Sequence, residues 1–189
     1  NNNMPVYLAL FRGINVSGKK IIKMEELRNL MDSAGYGNVA TYIQSGNVIF
    51  ESAVRSKDKI AAELEALVES HYGFKVAIFV FRIEDIIDAA DKNPFVSGRR
   101  PEGAGSKKLY VTFLSEHPSI ENIEKLREAP IGHDLIEIVD DVLYFKLQTK
   151  ASETRLSNNL IENKLKIKAT TRNWNTTVKL LEMLEDRMK

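Results

Sequence analysis

The chain has 189 residues, of which 43% are hydrophobic and 28% charged, and its formal net charge at pH 7 is +1. The length suits one large domain or two small ones, and the composition is that of an ordinary globular protein. No apolar run approaches the roughly 20 residues of a membrane span, and the first apolar stretch is too short for a signal peptide. The sequence has no cysteine, which excludes disulfides, thiolate metal sites and cysteine nucleophiles. We therefore expect a cytoplasmic protein with no membrane partner.

The small net charge hides an uneven distribution of charged side chains. The first 24 residues hold four basic side chains and no acid, and residues 146–172 hold seven basic side chains against two acids. Acidic residues gather instead at 84–91 and 134–141. Separated patches of this kind either bind an anion locally or are simply solvated surfaces.

The first part of the chain, residues 4–82, is predicted to fold as β-α-β-β-α-β. Residues 6–11 are apolar on both alternations, which predicts a central strand covered on both faces. A helical apolar repeat follows, then two β-rich runs around a Gly46-Asn47 turn, a second helix that Ser56 can cap, and a last strand over 75–81. This order is the ferredoxin-like split βαβ arrangement, which carries its helices on one face of the sheet.

The same element order returns in the second part of the chain. A short helix and a linker rich in Gly, Pro and Ser fill residues 83–106, and the second unit covers 107–189 with a C-terminal helix over 176–188. We predict an α+β protein of two ferredoxin-like βαββαβ units (the α-β plait) with antiparallel sheets and extra helices, related by structural duplication. Since an open apolar sheet face is a liability or an interface, we expect each open face to be covered by the other unit or by the extra helices.

Four separated motifs resemble a known bacterial family. They are Arg12-Gly13-Ile14-Asn15-Val16, Tyr42-Ile43-Gln44-Ser45-Gly46-Asn47-Val48, Asn93-Pro94-Phe95 and Thr171-Arg172-Asn173-Trp174-Asn175-Thr176. Over nearly the whole chain, the sequence resembles the family catalogued as domain of unknown function 1697. The resemblance implies a two-part α+β protein and no established activity. The chain departs from the family pattern at Ser17-Gly18, where the family usually has Gly-Gly, and at 155–159, where it commonly has Ser-Lys-Leu.

The segment between the first strand and the first helix is the first candidate anion site. Its glycines let backbone N–H groups turn inward around an anion, and its lysines supply charge. It is not a P-loop, because no hydroxyl residue follows the Gly-Lys pair. The alternative is a β-α connection that needs glycine only for its turn. The candidate ligand-binding residues here are Arg12, Asn15, Ser17, Lys19 and Lys20.

Two other motifs supply further candidate ligand contacts. The Ser45-Gly46-Asn47 turn either lines a site or only satisfies hairpin geometry. The single tryptophan either anchors the last helix to the core or stacks on a base, and Asn175 or Thr176 can cap that helix. We expect this helix start and the first loop to meet at one basic cleft between the two units. The additional candidates are Gln44, Asn47, Arg172, Asn173, Trp174 and Asn175.

Catalytic constellations are scarce in this sequence. His71, His117 and His133 lack metal-ligand spacing, and no serine nucleophile motif is readable. Asp140-Asp141 is better explained as a hairpin turn than as a carboxylate pair. We therefore expect no catalytic residue, no metal and no cofactor.

The nucleic-acid interpretation has partial support from the fold. RNA-recognition domains share the βαββαβ order, and Tyr7, Phe11 and Phe50 lie on the two strands that such domains use, but the RNP1 pattern is absent. The leading hypothesis is a binding module for a phosphate-bearing ligand, either a nucleotide or a nucleic acid. The alternatives are an enzyme that acts on a phosphorylated small molecule by positioning and electrostatics, and a protein-interaction module, for example a homodimer, that uses an apolar sheet face.

Overall fold

The computed structural model describes residues 4–103 and 108–189. These residues divide into two compact units. Unit 1 holds the described residues up to Ile87 together with Leu180–Lys189, and unit 2 holds those of Asp88–Lys179. Residues 104–106 of the expected linker and residue 107 of the expected second unit lie outside the described residues.

Unit 1 is built on a four-stranded antiparallel sheet. The strand order is β2-β3-β1-β4, which is the ferredoxin-like order for a βαββαβ chain. The expected fold class is therefore confirmed. The elements are β1 (Val6–Phe11), α1 (Met24–Ser33), β2 (Gly37–Tyr42), β3 (Asn47–Glu51), α2 (Lys57–Tyr72) and β4 (Ile78–Phe81).

Alternating side chains of β1 point to the two faces of this sheet. Tyr7, Ala9 and Phe11 belong to the hydrophobic core that includes side chains of α1 and α2. Leu8 and Leu10 lie on the opposite face and are also fully buried. The run of six apolar residues thus has the burial that its sequence predicts for a central strand.

The ends of α2 show why the helix begins and stops where it does. The Ser56 hydroxyl accepts a hydrogen bond from the backbone N–H of Lys59 at 3.1 Å, as an N-cap serine does. At the other end Gly73 adopts a left-handed φ of 80°, and its N–H donates to the carbonyl of Glu69. The predicted Ser56 cap is therefore present, and Gly73 ends the helix.

Unit 2 repeats the strand order of unit 1. Its antiparallel sheet is arranged as β6-β7-β5-β8, and Asp140-Asp141 forms the two-residue turn between β6 and β7. On the face opposite the helix-packed core, Val111, Phe113 and Tyr144 are buried. The remaining elements of the chain are α3 (Ile83–Asp91), β5 (Leu109–Leu114), α4 (Ile120–Arg127), β6 (Leu135–Val139), β7 (Val142–Lys146), α5 (Asn158–Leu165), β8 (Ala169–Asn173) and α6 (Trp174–Arg187).

The junction of β8 and α6 differs from the sequence prediction. The last helix, α6, begins at Trp174 rather than at 176, directly after β8 ends at Asn173. The cause is Asn173, which pairs with Tyr110 in the sheet and also accepts a hydrogen bond from the N–H of Thr176 at 2.8 Å. Asn173 therefore caps the helix, so the prediction that Asn175 or Thr176 would cap it was wrong.

Candidate functional site

The loop between β1 and α1 carries a small hairpin of its own. The N–H of Lys19 donates to the carbonyl of Val16 at 3.0 Å, and these two residues form an isolated antiparallel bridge. Ser17 and Gly18 between them both have positive φ, 52° and 72°, which is the signature of a type I′ turn. The exposed tip of the loop is therefore a defined two-residue turn.

The side chain of Asn15 holds the base of this hairpin. Its Nδ2 donates to the carbonyl oxygens of Ile22 at 2.9 Å and Gln44 at 2.7 Å, and its Oδ1 accepts from the N–H of Ile22 at 2.8 Å. Its own N–H donates to the carbonyl of Lys20 at 3.1 Å. Asn15 thus brackets the two ends of the hairpin and ties them to the β2–β3 turn, so its amide positions the loop.

The cations of the loop fall into three different situations. Lys19 is exposed, and its side chain has no hydrogen-bond or ion-pair partner within residues 4–103 and 108–189. The Nζ of Lys20 donates to the carbonyl of Lys75 at 2.8 Å. Arg12 is half-buried, and its N–H donates to the carbonyl of Ala77 at 2.9 Å. Lys23 is exposed as well, but it lies at the start of α1, so Lys19 is the cation that the tip of the hairpin offers to a solute.

The neighbouring β2–β3 turn requires a glycine at position 46. A Cβ there would lie 2.6 Å from the Cβ of Phe11 and 2.8 Å from the Cδ1 of Ile14, and the φ of Gly46 is +83°. The Gly46 carbonyl accepts from the N–H of Phe11 at 2.8 Å. The close approach to β1 and to the hairpin loop places the two turns side by side.

Gln44 and Asn47, the two candidates in this turn, have different surroundings. Gln44 is exposed, and its carbonyl is one of the groups that Asn15 contacts. Asn47 is buried, and its Nδ2 donates to the carbonyl of Tyr42 at 2.9 Å and to the hydroxyl of Ser45 at 2.8 Å. The amide of Asn47 therefore stabilises the turn from inside.

Arg172 lies in unit 2, and its side chain is buried on the sheet face opposite the helix-packed core. Only 7% of its surface is exposed, and its Nη1 donates at 2.9 Å both to the hydroxyl of Thr170 and to the carbonyl of Thr171. Burial lowers the pKa of Arg172 to about 10, so the guanidinium stays protonated at neutral pH. Its charge is held inside the fold rather than offered on an exposed surface.

The three residues after Arg172 also make internal contacts. Asn173 caps α6, as described above. Trp174 is fully buried, and its Nε1 donates to the carbonyl of Arg100 at 2.7 Å. Asn175 accepts from the N–H of Glu102 at 2.7 Å through its Oδ1. These contacts fasten the start of α6 to the segment that precedes β5.

The candidates are therefore divided between the two units. Unit 1 brings together the hairpin loop and the β2–β3 turn, whereas the Arg172 motif belongs to unit 2. The single site shared by both groups stays a prediction. Three exposed aliphatic side chains on these two turns cannot be identified from the sequence, because solvent exposure depends on loop conformation and not on residue type. They are Val16, Ile21 and Ile43.

The aromatic residues that favoured RNA recognition do not offer their rings to a base. Tyr7, Phe11 and Phe50 are fully buried in the core on the helix side of the unit 1 sheet. Tyr7 and Phe50 stack on each other with ring centroids 5.8 Å apart. The comparison with RNA-recognition domains thus keeps only the shared element order and loses the aromatic residues, because stacking on bases requires exposed rings.

The described residues contain neither a metal-binding cluster nor a membrane-spanning helix. Within them, no group of three or more His, Asp or Glu side chains is arranged to hold a metal ion. No helix in the same part of the chain has the length and apolar character needed to cross a membrane.

Comparison with known proteins identifies a family and several structurally similar chains. The family described as "Protein of unknown function (DUF1697)" matches residues 4–144. A solved structure, that of the conserved bacterial protein SP0830 from Streptococcus pneumoniae, is similar with a TM-score of 0.71 and 25% sequence identity. The match covers 96% of this chain and 99% of the other. No curated protein matches the sequence.

Proposed function

We propose that this chain, which belongs to the DUF1697 family of proteins of unknown function, binds a phosphate-bearing ligand through the hairpin loop of unit 1. The ligand is a nucleotide or a nucleic acid. The observation that carries the proposal is the loop tip itself. There an exposed, unpaired Lys19 stands beside the Ser17-Gly18 turn on a backbone that other residues hold in place.

Electrostatics supports this assignment. The described residues from 4 to 24 include four basic side chains and no acid. No carboxylate of this segment therefore pairs with these cations or repels an incoming anion. Positive potential on an exposed projection attracts phosphate and raises its local concentration. Exposed charges are screened within about 8 Å at physiological salt, so we expect binding to weaken as salt rises.

The backbone of the loop also supports it. Ser17 and Lys20 both have φ near +50°, and two such residues within four positions represent stored strain. Asn15 shares this φ, which asparagine tolerates. Such conformations persist only where surrounding contacts enforce them, and they cluster at functional sites. Here the Asn15 amide and the Val16–Lys19 bridge enforce them. Main-chain N–H groups in a turn held this way form a natural cradle for an anion.

Fluorescence anisotropy tests the proposal with the full chain. Labelled single-stranded RNA, single-stranded DNA and duplex DNA are titrated at two salt concentrations, and unlabelled nucleoside triphosphate is used as a competitor. We expect affinity to fall with salt by a log-log slope of about −0.7 to −0.9 for each phosphate contact. Competition by the nucleotide would show that the small ligand uses the same site.

A charge reversal at the loop tip locates the binding. Lys19→Glu removes the exposed cation and adds a repulsive charge, so we expect a loss of about tenfold or more and a shallower salt slope. The matched control is Lys59→Glu on α2, another exposed lysine of unit 1, which makes the same change in net charge away from the loop. Equal effects of the two variants would indicate non-specific attraction, and absence of binding at low salt would remove the nucleic-acid version.

A further inference from the structure

Three exposed aliphatic side chains lie on the hairpin loop and on the β2–β3 turn beside it. Val16, Ile21 and Ile43 are 58%, 53% and 48% exposed, and they are half of the six large exposed hydrophobic residues in the described part of the chain. The Asn15 side chain contacts Ile22 and Gln44. Val16 is the sequence neighbour of Asn15, Ile21 that of Ile22, and Ile43 that of Gln44. Consecutive Cα atoms are about 3.8 Å apart, so the three side chains start from one small region.

Ile43 combines two unfavourable features at one position. Its φ is +51°, a conformation in which a β-branched residue is a genuine outlier. About half of its side chain is also exposed to solvent. Asparagine or glycine would adopt this backbone without strain and would expose no apolar surface. A contact with an apolar group of a ligand would give the isoleucine side chain a role that neither alternative can fill.

From this arrangement we infer that the ligand carries an apolar face next to its phosphate, and that this face is a nucleobase covering Val16, Ile21 and Ile43. The inference rests on the proposed function and names the class of ligand within it. Inorganic phosphate and sugar phosphates satisfy the Ser17-Gly18-Lys19 tip but leave the three aliphatic side chains uncovered. A nucleotide supplies both parts, because its base is a flat group with an apolar face.

The order of polar and apolar groups along the loop favours a nucleotide over a phospholipid surface. A loop that enters a bilayer carries its apolar side chains at the most projecting point, with cations behind them at headgroup level. Here the projecting turn is Ser17-Gly18, Val16 stands level with Lys19 across the bridge, and Ile21 and Ile43 lie nearer the base of the hairpin. The phosphate therefore meets the tip, and the apolar group of the ligand lies beside the loop.

Calorimetric titration of the full chain with three soluble ligands measures the contribution of the apolar face. The ligands are inorganic phosphate, ribose 5-phosphate and adenosine 5′-monophosphate. We expect the nucleotide to bind about tenfold more tightly than ribose 5-phosphate, since covering a small aliphatic surface accounts for a factor of that size. Methyl NMR spectra should show shifts of Val16, Ile21 and Ile43 with the nucleotide and not with inorganic phosphate.

Ile43→Asn tests the inference without endangering the fold. Asparagine tolerates a positive φ, so the variant should unfold at the same or a higher denaturant concentration while losing the preference for nucleotide over ribose 5-phosphate. The control is Ile120→Asn at the start of α4 in unit 2, where the isoleucine is 79% exposed and its replacement should change neither affinity. A fourth titration uses vesicles of phosphatidylcholine and phosphatidylserine.

Each result supports or overturns a distinct statement. A nucleotide preference that Ile43→Asn abolishes supports the inference. Equal affinity for nucleotide and ribose 5-phosphate overturns the inference and leaves the proposed function standing. Vesicle binding that Ile43→Asn weakens, without a nucleotide preference, overturns it in favour of a phospholipid. If none of the phosphates binds, the proposed function fails and the inference fails with it.

Discussion

Asn15 is the residue on which the geometry of the hairpin loop depends most directly. Asn15→Ala removes three side-chain hydrogen bonds, two to Ile22 and one to Gln44. Each such bond contributes about 0.5–1.5 kcal/mol net. Alanine must in addition adopt the φ of +56°, which costs roughly 1–2 kcal/mol for a residue that lacks the local side-chain hydrogen bonding of asparagine. Because water can replace the exposed bond to Gln44, the two bonds to Ile22 and the strain together predict a loss of about 2–5 kcal/mol.

Urea unfolding and hydrogen exchange together measure this loss. Two units need not unfold in one step, so the transition should be followed by NMR signals from unit 1. In the unmodified chain the N–H of Ile22 donates to the Asn15 Oδ1, and this amide should exchange much faster in Asn15→Ala. Unit 2 signals serve as the internal control and should keep their denaturant midpoint.

Asn15→Gly separates the hydrogen bonds from the backbone strain. Glycine also lacks the three bonds but adopts positive φ freely, so it should be about 1 kcal/mol more stable than the alanine variant. If Asn15→Ala lowers the free energy of unfolding by less than about 0.5 kcal/mol and the Ile22 amide stays protected from exchange, the Asn15 side-chain hydrogen bonds do not hold the loop. The account of a pre-organised site would then be wrong.

Three other changes test the structure elsewhere. Gly46→Ala should destabilise unit 1 by about 2–4 kcal/mol in urea unfolding, because its Cβ would lie 2.6 Å from that of Phe11 at a φ of +83°. Burial raises the pKa of Asp134, but hydrogen bonds from Thr154, Thr149 and Gln148 lower it by more, so the net pKa lies below its ordinary value. NMR titration should show this low pKa. Unit 2 should lose stability as pH falls from the ordinary aspartate pKa towards the lower pKa of the folded state. Burial and a nearby carboxylate raise the pKa of Tyr36 and Tyr72 to about 12. Phenolate absorbance should therefore show both side chains ionising about two pH units above free tyrosine. The stability of unit 1 should decline as pH rises from 10 to 12.

Controls for these three changes come from the same chain. Gly18→Ala also places a Cβ at positive φ, but nothing lies within 4 Å of it, so it should cost less than Gly46→Ala. Asp134→Asn should remove most of the acid-induced loss of unit 2, and an unchanged pH profile would contradict the role given to Asp134. Titration of Tyr36 and Tyr72 near pH 10 would contradict their burial.

The fold could be predicted because apolar periodicity and chain breakers determine element order locally. Val6–Phe11 is apolar on both alternations and forms a central strand, and Ser56 and Gly73 bound α2. Asp140-Asp141 forms the predicted tight turn. These signals depend on neighbours in sequence, so one chain is enough to read them.

The positions of individual side chains could be predicted less well, because they depend on contacts between distant residues. Arg172 is a charged residue that type alone places at the surface, yet its position in β8 opposite Val111 on the buried sheet face encloses it. Isoleucine by itself disfavours a positive φ, yet Ile43 has one because the hydrogen bond from Asn15 to the Gln44 carbonyl holds the turn in this conformation. The exposed aliphatic flank of the hairpin followed from neither composition nor periodicity.

The central claim is that a phosphate-bearing ligand binds at the tip of the unit 1 hairpin, and mapping by backbone amide NMR tests it most directly. A uniformly ¹⁵N-labelled chain is titrated with adenosine 5′-monophosphate at low salt. The account predicts saturable shifts concentrated at residues 13–20, with Ser17, Gly18 and Lys19 moving most and with the shifts lost in Lys19→Glu. Shifts spread over other surfaces of the chain, or no shifts at millimolar nucleotide, would contradict it.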